Sequence, residues 1–122
     1  MAAVLSGAKT TTTFLLLELD IDGEQLPEVG SQASVIDSAG ESVGVETIEQ
    51  VRVTRLADVD EQHARDEGEG YSTVAEWRRA HEGYWHGPVY RNWVGDQSFH
   101  VDDDTLAVLV RFRFAAATGP AA

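Results

Sequence analysis

Cysteine is absent from this 122-residue chain, lysine occurs once and proline three times. Without cysteine there is no disulfide, no thiolate nucleophile and no cysteine-ligated zinc. Long apolar runs are missing too. Runs such as Phe14–Leu17 and Leu106–Val110 fall far short of the ~20 residues of a membrane-spanning helix. The first residues lack a basic-then-apolar signal region, so the expected location is cytoplasmic, with no membrane partner. His63, His81, His86 and His100 show no metal-ligand spacing, and no Ser-His-Asp arrangement is legible. Neither a metal nor a cofactor is expected.

Positive charge is scarce. Arginine supplies eight of the nine basic residues, and the net charge is −12. A field of that sign repels polyphosphate, so long nucleic acid would need a locally basic face. Fifteen of the 21 acids lie between Glu18 and Glu69, which leaves the C-terminal half closer to balance. What remains, 43% hydrophobic and 25% charged residues, describes one soluble domain.

Residues 1–7 read as the last turns of a helix stopped by Gly7. Phe14–Leu19 reads as a strand, Asp20–Gly23 as a turn, and Gln32–Asp37 as a second strand. Ser38–Ser42 closes a hairpin in which Gly40 supplies positive φ. From Val43 to Thr54 the sequence alternates, with Val43, Val45, Thr47, Val51 and Val53 on one face and Glu46, Ile48, Gln50 and Arg52 on the other. Two short helices follow. One opens on Asp58-x-x-Glu61 and ends at Gly68-Glu69-Gly70; the other opens on Thr73-x-x-Glu76. The second helix spaces Val74, Trp77, His81 and Tyr84 along a single face and stops at Gly87-Pro88. Val89–His100 reads as a loop or bent strand. In the last strand Leu106, Val108, Val110, Phe112 and Phe114 line one side, and Arg111 and Arg113 the other. This order implies an α+β fold: a small antiparallel barrel with two or three short helices beside one opening.

Lys9 stands in Ser6-Gly7-Ala8-Lys9-Thr10-Thr11-Thr12-Thr13, the one lysine among four threonines. Ala8 excludes a Walker phosphate loop, which requires glycine directly before the lysine. Downstream come Leu26-Pro27-x-Val29-Gly30, Val45-Glu46-Thr47, Val51-Arg52-Val53, Ala64-Arg65-Asp66-Glu67-Gly68-Glu69-Gly70, Trp77-Arg78-x-x-His81 and Val110-Arg111-Phe112. Together with Gly7-x-Lys9-Thr10-x-Thr12, in this order, the string resembles the ASCH domain, a PUA-like β-barrel. The resemblance assigns residues 1–115 to that domain and 116–122 to a flexible tail. It implies recognition of RNA or a nucleoside in a cleft centred on Lys9. In some relatives it also implies hydrolysis of N4-acetylcytidine, or of RNA, with Lys9, Thr12 and Glu67 as the catalytic positions. Only eight residues precede Lys9, fewer than is usual before this motif.

Physical chemistry weighs on that implied trio. A threonine hydroxyl attacks an amide only if a base takes its proton, and lysine serves only where burial draws its pKa toward neutrality. Surrounding carboxylates favour charged lysine, which suits binding more than catalysis. Arg52, Arg111 and Arg113, together with Arg55, form a candidate basic stripe for RNA, and Thr10 is a further candidate ligand contact. Trp77 and Tyr84 read as core. Tyr71, Trp85, Tyr90 and Trp93 read as freer, with Trp93 the first choice for an exposed stacking ring. Three readings follow: an RNA- or nucleoside-binding module, a small hydrolase, and a protein-interaction domain without a nucleotide ligand. The sequence leaves the oligomeric state open.

Overall fold

The computed structural model describes residues 10–116. Lys9, the helical turns expected at residues 1–7 and residues 117–122 of the expected tail lie outside that range. The described chain is α+β. Its strands are β1 (Thr11–Leu15), β2 (Gln32–Ile36), β3 (Ser42–Arg55) and β4 (Leu106–Ala116). They form one curled antiparallel sheet, a half-barrel, in the order β1-β4-β3-β2. Four α-helices accompany it instead of two or three: α1 (Leu17–Asp22), α2 (Glu61–Asp66), α3 (Val74–Trp85) and α4 (Pro88–Val94). A 3-10 turn, Leu56–Asp58, leads from β3 toward α2.

Two elements differ from the sequence reading, each for a local reason. The leucine run does not continue as a strand. The Glu18 carboxylate accepts the Leu15 N–H at 2.9 Å and starts a helix, which Gly23 ends at φ 67°. Likewise Gly87-Pro88 not only stops α3 but starts α4, since Pro88 occupies its first turn and Gly87 its N-cap. The first half of the segment expected as a loop or bent strand is thus helix, closed by Gly95 at φ 85°.

The pleat of β3 also departs from simple alternation. Ile48 pairs with Phe112, yet Gln50 already pairs with Arg111, so Glu49 is an extra residue in the ladder. This bulge reverses the phase of the strand. Val51 and Val53 lie opposite Val110 and Val108, whereas Val45 and Thr47 lie opposite Ala115 and Arg113. The two groups therefore occupy different faces, and Ile48 joins Val51 and Val53 on theirs.

One sheet face carries Leu15, Ala107 and Leu109 into a core shared with Leu56, Trp77, Trp85 and Tyr90. This packing of α3 and α4 across β1 and β4 is what brings helical side chains over the start of β1.

Candidate functional site

Short sequence spacings build the site. In β1, alternation turns Thr11 and Thr13 toward the helices. Asp60 caps α2 by accepting the His63 N–H at 2.8 Å, and the short helix then sets His63 and Glu67 four residues apart on one face. Gly68, at φ 72°, turns the chain away directly after Glu67. Thr73 caps α3 in the same manner, accepting the Glu76 N–H at 3.2 Å. Trp77 and His81, again four apart, then face the same point. Thr11 fastens α2 to β1 by donating its hydroxyl to the His63 carbonyl at 2.9 Å.

At the meeting point lies Glu67, 3% exposed. Its Oε2 accepts from the Trp77 indole N–H at 2.6 Å and the Thr13 hydroxyl at 2.7 Å. Because Thr13 gives its one proton to Glu67, its oxygen receives the Nε2–H of His63, 2.6 Å away. His63 Nε2 is also 3.5 Å from Glu67 Oε2. On the other side, His81 Nε2 lies 3.3 Å from Glu67 Oε1, and its Nδ1 lies 2.8 Å from the Trp77 carbonyl. Both His81 bonds form together only when the ring carries both protons. The His81 ring stacks on Trp77 with centroids 4.4 Å apart.

Burial pushes the Glu67 carboxyl up, but hydrogen bonds from His63, His81, Trp77 and Thr13 outweigh it and hold the group well below its ordinary 4.5. The folded value is thus lower than the unfolded one. The stability that Glu67 contributes is complete above the ordinary value and drains away as pH falls through the folded value. Urea midpoints taken from neutral pH to about pH 3 are expected to fall less steeply in Glu67→Gln than in the parent chain.

Over this network opens a cleft of about 360 Å³ lined by Thr13, Phe14, Glu18, Tyr71, Ala80, His81, Tyr84 and Trp85. Thr13 and His81 touch both the cleft and the buried carboxylate. An adjoining chamber of about 240 Å³ shares Glu18 and Tyr84 and adds Val89, Tyr90 and Trp93. Between the two, Glu18 Oε2 accepts the Leu15 N–H at 2.9 Å and the Tyr90 hydroxyl at 3.0 Å. Burial, and then the adjacent Glu18 charge, push the Tyr90 hydroxyl far above its ordinary range, so it remains the donor.

Of the residues singled out in the sequence, Glu67 is at the centre, and Lys9 lies outside the described residues. The threonine beside Glu67 is Thr13, not Thr12. Thr12 pairs with Val110 on the opposite sheet face, because the pleat sends neighbouring residues apart. Thr10 lies against α2, its N–H donating to the Asp66 carbonyl at 2.7 Å. Arg52, Arg111 and Arg113 each face an acid: Asp60 at 3.7 Å, Asp66 at 2.8 Å and Glu49 at 3.7 Å. Trp93 is exposed and lines the second chamber. Tyr84, read as core, is 60% exposed, whereas Trp85 and Tyr90, read as freer, are buried. Sequence reasoning passed over Thr13, His63, His81 and Glu18. The four-residue steps from His63 to Glu67 and from Trp77 to His81 were the signal available for two of these positions, His63 and His81. Among the described residues, no group of three or more His, Cys, Asp or Glu is arranged to hold a metal ion. No helix among them is long and apolar enough to cross a membrane.

A family model described as the ASCH domain matches residues 1–115. No curated protein gives a significant match. Among solved structures, an ASCH domain from Lactobacillus crispatus superposes with a TM-score of 0.78 at 26% identity, covering 95% of this chain and 70% of that one. A protein from Enterococcus faecalis superposes with a TM-score of 0.73 at 23% identity, covering 93% of this chain. This chain spans 65% of that protein's length.

Proposed function

The chain belongs to the ASCH domain family, and we propose that it binds RNA or a free nucleoside by taking a single base or nucleoside into the cleft above Thr13 and His81. One observation carries this reading. A 360 Å³ opening with aromatic walls, Tyr71, Tyr84 and Trp85, ends on polar groups held rigid by a buried carboxylate. Aromatic walls suit a base of any identity, and fixed polar groups at the floor orient it. The arginines support a base-centred mode over one that tracks the phosphate backbone. Arg52, Arg111 and Arg113, of the candidate stripe, all face carboxylates. Lys9, brought to the cleft by the family resemblance, would supply the cation for a ligand phosphate or carbonyl.

Binding ranks ahead of hydrolysis on the chemistry of Glu67. A general base works best with a pKa near the operating pH, and Glu67 is held far below that. Its role in this reading is to fix Thr13 and His81 in place.

A nucleoside panel that includes cytidine and N4-acetylcytidine, titrated calorimetrically with product followed by chromatography, tests the proposal. Binding without turnover is expected, weakened about tenfold or more in Tyr71→Ala by loss of a stacking wall. Charge reversal at Arg111 and Arg113 should leave nucleoside affinity in place. Affinity that ignores Tyr71→Ala but collapses with those arginines or with modest salt would overturn the cleft as the site. Turnover lost on Lys9→Ala would instead establish the hydrolase.

A further inference from the structure

The second chamber has a composition of its own. Tyr90 forms the back wall at 3% exposure, and Tyr84 and Trp93 flank it. The Tyr84 and Tyr90 centroids lie 5.2 Å apart with planes at 65°, and Tyr90 and Trp93 lie 5.6 Å apart at 51°. Rings inclined in this way form converging walls rather than a stack. Among the described residues, Tyr84 and Trp93 are also the exposed Phe, Tyr or Trp side chains, at 60% and 42%. They stand on either side of one small hollow instead of being scattered.

The charge in the hollow is negative. Glu18 takes both of its protein donors, the Leu15 N–H and the Tyr90 hydroxyl, on Oε2. Among the described residues, no arginine or lysine lines the chamber. The nearest arginine in sequence, Arg91, turns its Nε–H to the Phe99 carbonyl at 2.9 Å. Among the described residues, a phosphate meets no cation here. A cation meets three aromatic rings and a carboxylate.

Size and hydrogen-bonding capacity narrow the class. At about 240 Å³ the chamber is below the usual ~300–1,000 Å³ of small-molecule sites, which suits a compact head group. A primary ammonium brings three N–H donors, which lose their water in a largely aromatic wall. A methylated ammonium brings few or none, and its methyl groups pack against rings. We propose that the chamber bounded by Tyr84, Tyr90, Trp93 and Glu18 is a binding site for a methylated ammonium group. The group arrives either on a free small molecule or on a methylated lysine side chain. This goes beyond the nucleoside reading and does not rest on it, because Trp93 touches the second chamber alone and Tyr71 the first alone.

The test titrates the full chain with choline and with its neutral isostere 3,3-dimethylbutanol, following the three indole N–H signals by NMR. A peptide bearing trimethyl-lysine and its unmodified twin form the second arm. The Trp93 signal is expected to move with choline while those of the buried Trp77 and Trp85 stay nearly still. The isostere should bind about five- to thirtyfold more weakly. Trp93→Ala and Glu18→Gln should each weaken choline by a similar factor, whereas Tyr71→Ala should not. Glu18→Gln keeps an oxygen for Leu15 and Tyr90, so it separates loss of charge from loss of fold. Tighter binding of the methylated peptide than of choline assigns the lysine source, and the reverse assigns the free molecule. Equal binding of choline and isostere, or a Trp93 signal that stays fixed at saturating choline and peptide, overturns the site. Loss of the nucleoside response alone leaves it standing.

Discussion

Glu67→Ala is expected to cost about 3–5 kcal/mol of folding stability, because it strands buried donors that converge on one carboxylate. In a domain of this size that is a fall of ~10–20 °C in melting temperature. Trp77 Nε1, the Thr13 hydroxyl and His81 Nε2 all point at Glu67, and a methyl group accepts from none of them. Glu67→Gln should be milder, about 1.5–3 kcal/mol, since its amide oxygen still serves Trp77 and Thr13 while only the charge-assisted component is lost. Its NH₂ then faces His81 Nε2, which must turn acceptor. Urea titration of the three chains checks the order. A Glu67→Ala chain within about 1 kcal/mol of the parent would show that the network is not what holds α2 and α3 to β1.

The second large effect is expected at Trp77. It is fully buried, bonds Glu67 through its indole nitrogen, stacks on His81 and meets Trp85 edge-on with centroids 6.4 Å apart. Trp77→Ala should cost about 3–5 kcal/mol from the cavity alone. Because part of the loss is the shared bond, Trp77→Ala combined with Glu67→Ala should fall short of additivity by about 0.5–3 kcal/mol. Strict additivity in that double-mutant cycle would mean that the two residues stabilise the fold independently.

The fold was largely legible because its signals are local and periodic. The apolar alternation of β4, the Gly40 hairpin and the Thr73 cap all appear where the sequence places them. The misreadings have a common cause: a residue with two local meanings, decided by a partner that composition alone does not single out. The leucine run after Phe14 has strand composition, yet a carboxylate three residues beyond Leu15 starts a helix. Trp85 and Tyr84 are neighbours, and helical spacing alone did not say which would be covered. Packing against the sheet buries Trp85 and leaves Tyr84 at the cleft. Glu67 entered the reading through the resemblance, and which threonine lies beside it depends on the phase of a five-residue strand. A phase error of one residue there exchanges Thr12 for Thr13.

The extra residue at Glu49 gives β3 a property of heredity. Seven residues upstream of it and six downstream are counted out of step, so at this point the number of residues, more than their identity, sets which side chains face inward. A lineage that dropped the bulge would have to rewrite a whole flank of the strand, exchanging inward letters for outward ones, before the sheet could close again.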